Sequence, residues 1–193
     1  AYADTGAELD IGLADRTQWT GAAYRVTNAS IDASSQWTVT ADSMLTNDLT
    51  NHGVVAFATP VNGNFKVLST RNYIAGSGTA AMNTYLGGDG SPSDVLMIDG
   101  GSATGSAALS IANAGGPGAL TEDDGILVVD ALNGGATNAD SFALGSLVLA
   151  PDDKRVAEIE DRPLVSIPAT APGEDVVAAF EKYDRVALPV VDA

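Results

Sequence analysis

The chain has 193 residues, 45% apolar but only 6% aromatic, with 21 glycines, no cysteine, one histidine and a formal net charge of −16. That composition excludes a disulfide framework, Cys-based zinc sites and a multi-histidine metal site. No Lys or Arg occurs from Asn72 to Asp153, so the clustered cations that nucleic acid or an anionic membrane surface demands are missing.

A core poor in aromatics must be built from Ala, Val, Leu and Ile, and the many glycines suit an all-β chain with frequent tight turns. No apolar run reaches the ~18 residues of a membrane-spanning helix. The chain opens on "AYADTG" without a charged-then-apolar leader, so for an exported form the leader is expected to have been removed or to lie outside this sequence. In chain order, strands are predicted at 7–15 ("AELDIGLAD"), 35–42 ("SQWTVTAD"), 53–60 ("GVVAFATP"), 65–75, 94–100, 108–115 and 125–133. Turn signals separate them: Asn62-Gly63, Gly87-Gly88, Asp89-Gly90, Gly115-Gly116-Pro117-Gly118 and Asn133-Gly134-Gly135.

A repeat runs through these segments. "TQWTGAA" and "SQWTVTA" place Trp19 and Trp37 eighteen positions apart, and "LMID", "LSIA" and "LVVD" recur at 96, 109 and 127. One strand cluster per unit of about 20 residues predicts a solenoid of stacked β coils. An antiparallel sandwich shares the many short strands. After Ala150 the character changes: residues 151–193 carry 10 acidic and 5 basic side chains. Pro151 with Asp152 and Asp153 predicts a helix start, and "PLVSIPA" a strand. Thr170 caps a second helix with Val176, Val177, Phe180 and Tyr183 on one face. "VALPVVD" is a last strand.

The motifs "NTYLGGDGSPSD", "IDGG", "GGPGA" and "GILVVD", in that order, resemble the C-terminal passenger segment of pertactin-like bacterial autotransporters. With "SQWTVTADSMLTNDLTNHGVVAF" upstream, the resemblance covers about residues 10–143. It implies a right-handed parallel β-helix, on the surface of a Gram-negative cell or secreted. Its expected partners are the chain's own translocator β-barrel and a host or cell-surface ligand. The sequence departs from the family where an aromatic-rich final coil and the barrel should follow. Residues 145–193, above all "FEKYDRVALPVVD", resemble the first half of a CBS domain of MgtE-type magnesium transporters, with Glu160 where that family has Met. That resemblance implies a cytoplasmic α/β module sensing Mg²⁺ or an adenosine nucleotide, although a half domain lacks the second face of such a site.

Three chemistries compete for the loop "YLGGDGSPSD". A serine hydrolase would need Ser91 activated by His52, but Ser91 is displaced from the Gly-Asp-Ser-Gly order and His52 sits in a turn. A calcium loop would draw on Asp89, Ser91, Asp94 and Asp99, against the reading that these aspartates solvate a turn. A polysaccharide-active enzyme would need a carboxylate pair, for which only the consecutive Glu122, Asp123 and Asp124 stand near. Trp19 and Trp37 read as stacked coil neighbours rather than a sugar platform. The expectation is therefore a mainly β solenoid over 1–143 and a CBS-like α-β-α-β fragment over 144–193. It is not an enzyme, it has no catalytic, cofactor or metal residues, and it serves as stalk and folding template with a possible adhesive role.

Overall fold

Alternation of small apolar and polar residues sets the strands. Side chains along a strand point to opposite faces with period two, and "QWTV" (36–39) and "VVAF" (54–57) both bury every second residue. The computed structural model describes residues 1–148 and the short segments 167–168 and 190–191. Two units are present, Ala1–Asp152 and Asp153–Ala193. Among the described residues there are strands and no helix.

The first unit is a coil of three strands repeated along the chain. The first coil is β1 (Asp10–Leu13), β2 (Gln18–Thr20) and β3 (Tyr24–Val26), and the second β4 (Asn28–Ile31), β5 (Gln36–Val39) and β6 (Ser43–Leu45). Then come β7 (Asp48–Asn51), β8 (Val54–Phe57) and β9 (Val67–Thr70). In the fourth coil the first two strands fuse into β10 (Asn72–Thr84), followed by β11 (Val95–Asp99). In the fifth they fuse into β12 (Ser102–Asn113), followed by β13 (Val129–Leu132), and β14 (Ala136–Thr137) and β15 (Phe142–Val148) begin a sixth. Each strand pairs in parallel with its counterpart one coil on. This is the connectivity of a parallel β-helix. The antiparallel sandwich is excluded for this unit, whose strand ladders are all parallel.

The core is a set of side-chain ladders along the coil axis. On the first face Ile11, Ala29, Leu49, Tyr73 and Ala103 lie in register, and on the second Trp19, Trp37, Val55, Ala80 and Leu109. On the third, Leu68, Leu96 and Val129 align. The Trp19 and Trp37 rings stack with centroids 5.0 Å apart, as the eighteen-residue spacing predicted. Trp37 is fully buried and its indole N–H donates to the Gly21 carbonyl at 2.9 Å. The other repeat is a correction. Leu96 pairs with Val129, so "LMID" and "LVVD" are out of register by two, and "LSIA" lies on a different face of the coil.

The repeat length grows along the chain. Gln18 pairs with Gln36, Ala29 with Leu49, Leu49 with Tyr73, Leu68 with Leu96, and Leu109 with Leu144. A coil of about 18 residues thus becomes one of about 35. Most of the growth lies in the excursion between the second and third faces, because the stretch that covers the first two faces stays nearly constant, from 10–20 in the first coil to 102–113 in the fifth. That excursion is 21–23, then 40–42, 58–66, 85–94 and 114–128.

The sheet continues through β15 to Val148, and the first unit runs to Asp152. In the second unit Ile167–Pro168 (β16) pairs in parallel with Val190–Val191 (β17), inside the two segments predicted as strands. The two helices predicted there, with Thr170, Val176, Val177, Phe180 and Tyr183, and the CBS-like position Glu160 lie outside the described residues.

Candidate functional site: the excursion edge of the coil

All the candidate residues of the loop at 85–94, and the acids at 122–124, fall on the edge formed by the successive excursions. Gly90 (φ +69°) and the close approach at Gly87, where a Cβ would meet Ser91 Oγ at 2.5 Å, build the corner after β10. Tyr85 N–H donates to the Pro92 carbonyl and closes it. The strand "VLMID" follows as β11.

The aspartates of this loop are divided among separate tasks. Asp89 is exposed and reaches the next excursion: its carboxylate accepts the backbone N–H groups of Glu122 (2.7 Å), Gly125 (2.7 Å) and Asp123 (3.2 Å). These bonds, led by the Glu122 N–H, hold its pKa below the usual carboxylate range. Asp94 is fully buried and joins three coil segments. Its Oδ1 accepts Lys66 N–H at 2.8 Å, and its Oδ2 accepts both the backbone and the side-chain amide of Asn83, at 2.8 and 2.7 Å. Asp99, at the other end of β11, accepts Asn133 Nδ2 at 2.6 Å. Asp89 and Asp94 meet N–H donors and Asp99 sits at a different corner, so a shared cation cage is not assembled. Among the described residues no cluster of three His, Asp or Glu side chains has metal-binding geometry.

The serine constellation is also split. Ser91 Oγ donates to the Gly88 carbonyl at 2.7 Å within its own turn. His52 stands at the corner between the first and second faces, with its ring against Gly76. The residues lie at different corners of the coil, so the structure does not pair nucleophile with base. Glu122, Asp123 and Asp124 are exposed in the last excursion, where the first two lend backbone N–H groups to Asp89.

Two polar arrangements escaped the sequence reading. Lys66, 8% exposed, donates from Nζ to the Ala58 carbonyl at 2.6 Å, and Asn83 Nδ2 donates to Phe57 O at 3.0 Å, so Lys66, Asn83 and Asp94 bolt the excursion 58–66 to the following coils. At the corner between the first and second faces Asp32 accepts Asp15 N–H and both the N–H and hydroxyl of Ser34, each at 2.9 Å. The Ser35 hydroxyl, the Asp15 N–H and the Ser34 hydroxyl lower its pKa to about 2.

A family model described as autochaperone domain type 1 matches residues 43–152. The chain belongs to this autochaperone family. The match takes in β6 through β15, a span that includes both long strands, β10 and β12, and the three long excursions. An autochaperone domain is part of an autotransporter passenger, which travels with its own translocator and ends at the cell surface or outside a Gram-negative cell. The match ends at 152 and gives the CBS resemblance of the tail no counterpart. No helix of the described residues is long and apolar enough to cross a membrane.

Proposed function

We infer that this chain is a non-enzymatic, right-handed β-helix segment whose C-terminal coils act as a folding template for the coils before them. The observation that carries this reading is the difference in strand length. β1 to β9 have three or four residues each, whereas β10 and β12 have 13 and 12 and pair in parallel almost throughout. A strand of three or four residues gives too few ladder bonds to hold its own coil. It gains stability when a preformed neighbour supplies both hydrogen-bond partners and an apolar floor. The β10–β12 pair is long enough to offer that floor, and β7 and β8 stack directly on the two halves of β10. Right-handed coiling follows from strand twist, which makes nearly all parallel crossovers right-handed.

The stalk role needs only this stacking. Adhesion would need a ligand-reading surface in addition. The test is truncation. A chain lacking residues 85–135 is expected to lose cooperative thermal unfolding of residues 1–84, followed by Trp37 fluorescence. If the N-terminal coils still melt in one sharp transition, they do not depend on a template.

A further inference from the structure

The excursion edge carries apolar side chains that the coil does not use. Val61 is 68% exposed, Leu120 79%, Leu127 51% and Tyr85 38%. They sit on three successive excursions at one corner, 58–66, 85–94 and 114–128. Backbone and side-chain bonds tie the last two of these loops into one lobe: Gly118 N–H to Leu86 O, Gly90 N–H to Gly125 O, and the Ser93 hydroxyl to Leu127 O. Large apolar side chains presented together on a soluble surface mark an interaction site more often than chance exposure.

On the lobe formed by the last two excursions the charge has one sign. Asp89, Glu122, Asp123 and Asp124 are exposed on the same lobe, and no Lys or Arg lies in the sequence from Asn72 to Asp153. Such a field repels phosphate and sulfate polymers and raises the local concentration of cations. It also repels a second copy of a chain of net charge −16. The lobe is an edge along the coil axis, with excursions from neighbouring coils following one another roughly every 5 Å, which suits an elongated partner.

We propose that the excursion edge docks an extended polypeptide segment bearing alternating cationic and large apolar side chains, the apolar ones seated against Leu120, Leu127 and Tyr85 and the cations facing Asp89 and Glu122 to Asp124. This holds whether or not the long coils act as a template.

The test uses the full chain and a synthetic peptide of alternating Lys and Trp, with a Glu and Trp peptide as control, titrated by calorimetry. The Lys peptide is expected to bind and the Glu peptide not. The double substitution Leu120→Ser and Leu127→Ser weakens binding about tenfold or more, as removing two leucine side chains from an apolar seat should. Glu122→Gln, Asp123→Asn and Asp124→Asn together lower both the affinity and its dependence on salt. A charge-matched variant at the far end, Asp4→Asn, Glu8→Gln and Asp15→Asn, leaves binding unchanged. The proposal is overturned by failure of the Lys peptide to bind, by equal weakening in the far-end variant (bulk charge alone), or by concentration-dependent self-association through the two leucines (a second copy as occupant).

Discussion

Asp89 shows how much one exposed side chain organises here. Its carboxylate is the common acceptor for three N–H groups of the longest excursion. Asp89→Ala is expected to speed hydrogen exchange at Glu122, Asp123 and Gly125 at least tenfold while the melting temperature of the coil barely moves. Unchanged exchange would mean that the excursion holds itself. Asp32 makes a comparable cradle, and there the pH dependence has a definite sign. Its pKa is lowered from 3.8 to about 2, so the folded form is favoured by the ionised group. That contribution is complete above about pH 4 and is lost as the pH falls through about 2. Amide exchange at Asp15 and Ser34, measured between pH 4 and pH 2, should show protection lost toward the acid end. Inside the coil, Asn51 is fully buried, and its Nδ2 donates to the Tyr73 hydroxyl at 2.9 Å and the Thr79 carbonyl at 3.1 Å. Asn51→Ala strands both acceptors and should cost about 1–3 kcal/mol in chemical denaturation. Tyr73→Phe, which leaves the Thr79 bond, should cost less.

At the level of strands, β10 and β12 depend on a close backbone approach. Gly105 has φ +82°, and a Cβ there would lie 1.9 Å from the Ala75 carbonyl oxygen. Gly105→Ala is therefore both strained and overpacked. It is expected to destabilise by about 3 kcal/mol or more, read as a lower denaturation midpoint. Survival of the wild-type midpoint would show that the two strands can separate at their bend without penalty. Sequence legibility divides at this same level. Strands with apolar alternation, such as those holding Trp37 and Val55, were readable. β4 ("NASI") and β7 ("DLTN") were not, because their Asn, Asp, Ser and Thr are turn formers by local preference. The coil overrides that preference by giving these side chains partners on neighbouring coils. Asn28 Nδ2 donates to Asp10 at 2.8 Å, and Asn72 Nδ2 to Asp48 at 2.8 Å. Asp94 is the instructive miss at the site. It heads the strand predicted over 94–100 and also stands among the candidate calcium ligands, yet it shares the inward phase of Leu96 and Ile98, and all three are buried. Period two within that predicted strand places it inside.

Over the first unit as a whole, the aromatic supply is small and strategically placed. Tyr73 and Phe142 stack with centroids 5.5 Å apart although a full coil lies between their strands. The intervening coil makes room because β12 puts Ala103 and Ala107 at the matching positions. The solenoid itself was legible from Trp19 and Trp37, but the number of strands per coil was not. A strand of three residues leaves almost no periodic trace, and a coil that changes length defeats any fixed repeat.

The lengthening of the coil from the first turn to the last carries one more consequence. Closing a loop of twice the length costs only about 0.6 kcal/mol in chain entropy, and the added residues of each excursion lie outside the apolar ladders. The corner between the second and third faces is therefore a graft site. Foreign sequence placed between Gly116 and Gly125 should be carried on the lobe at little thermodynamic penalty, whereas the same insertion at the one-residue link between β9 and β10 would force neighbouring coils out of step.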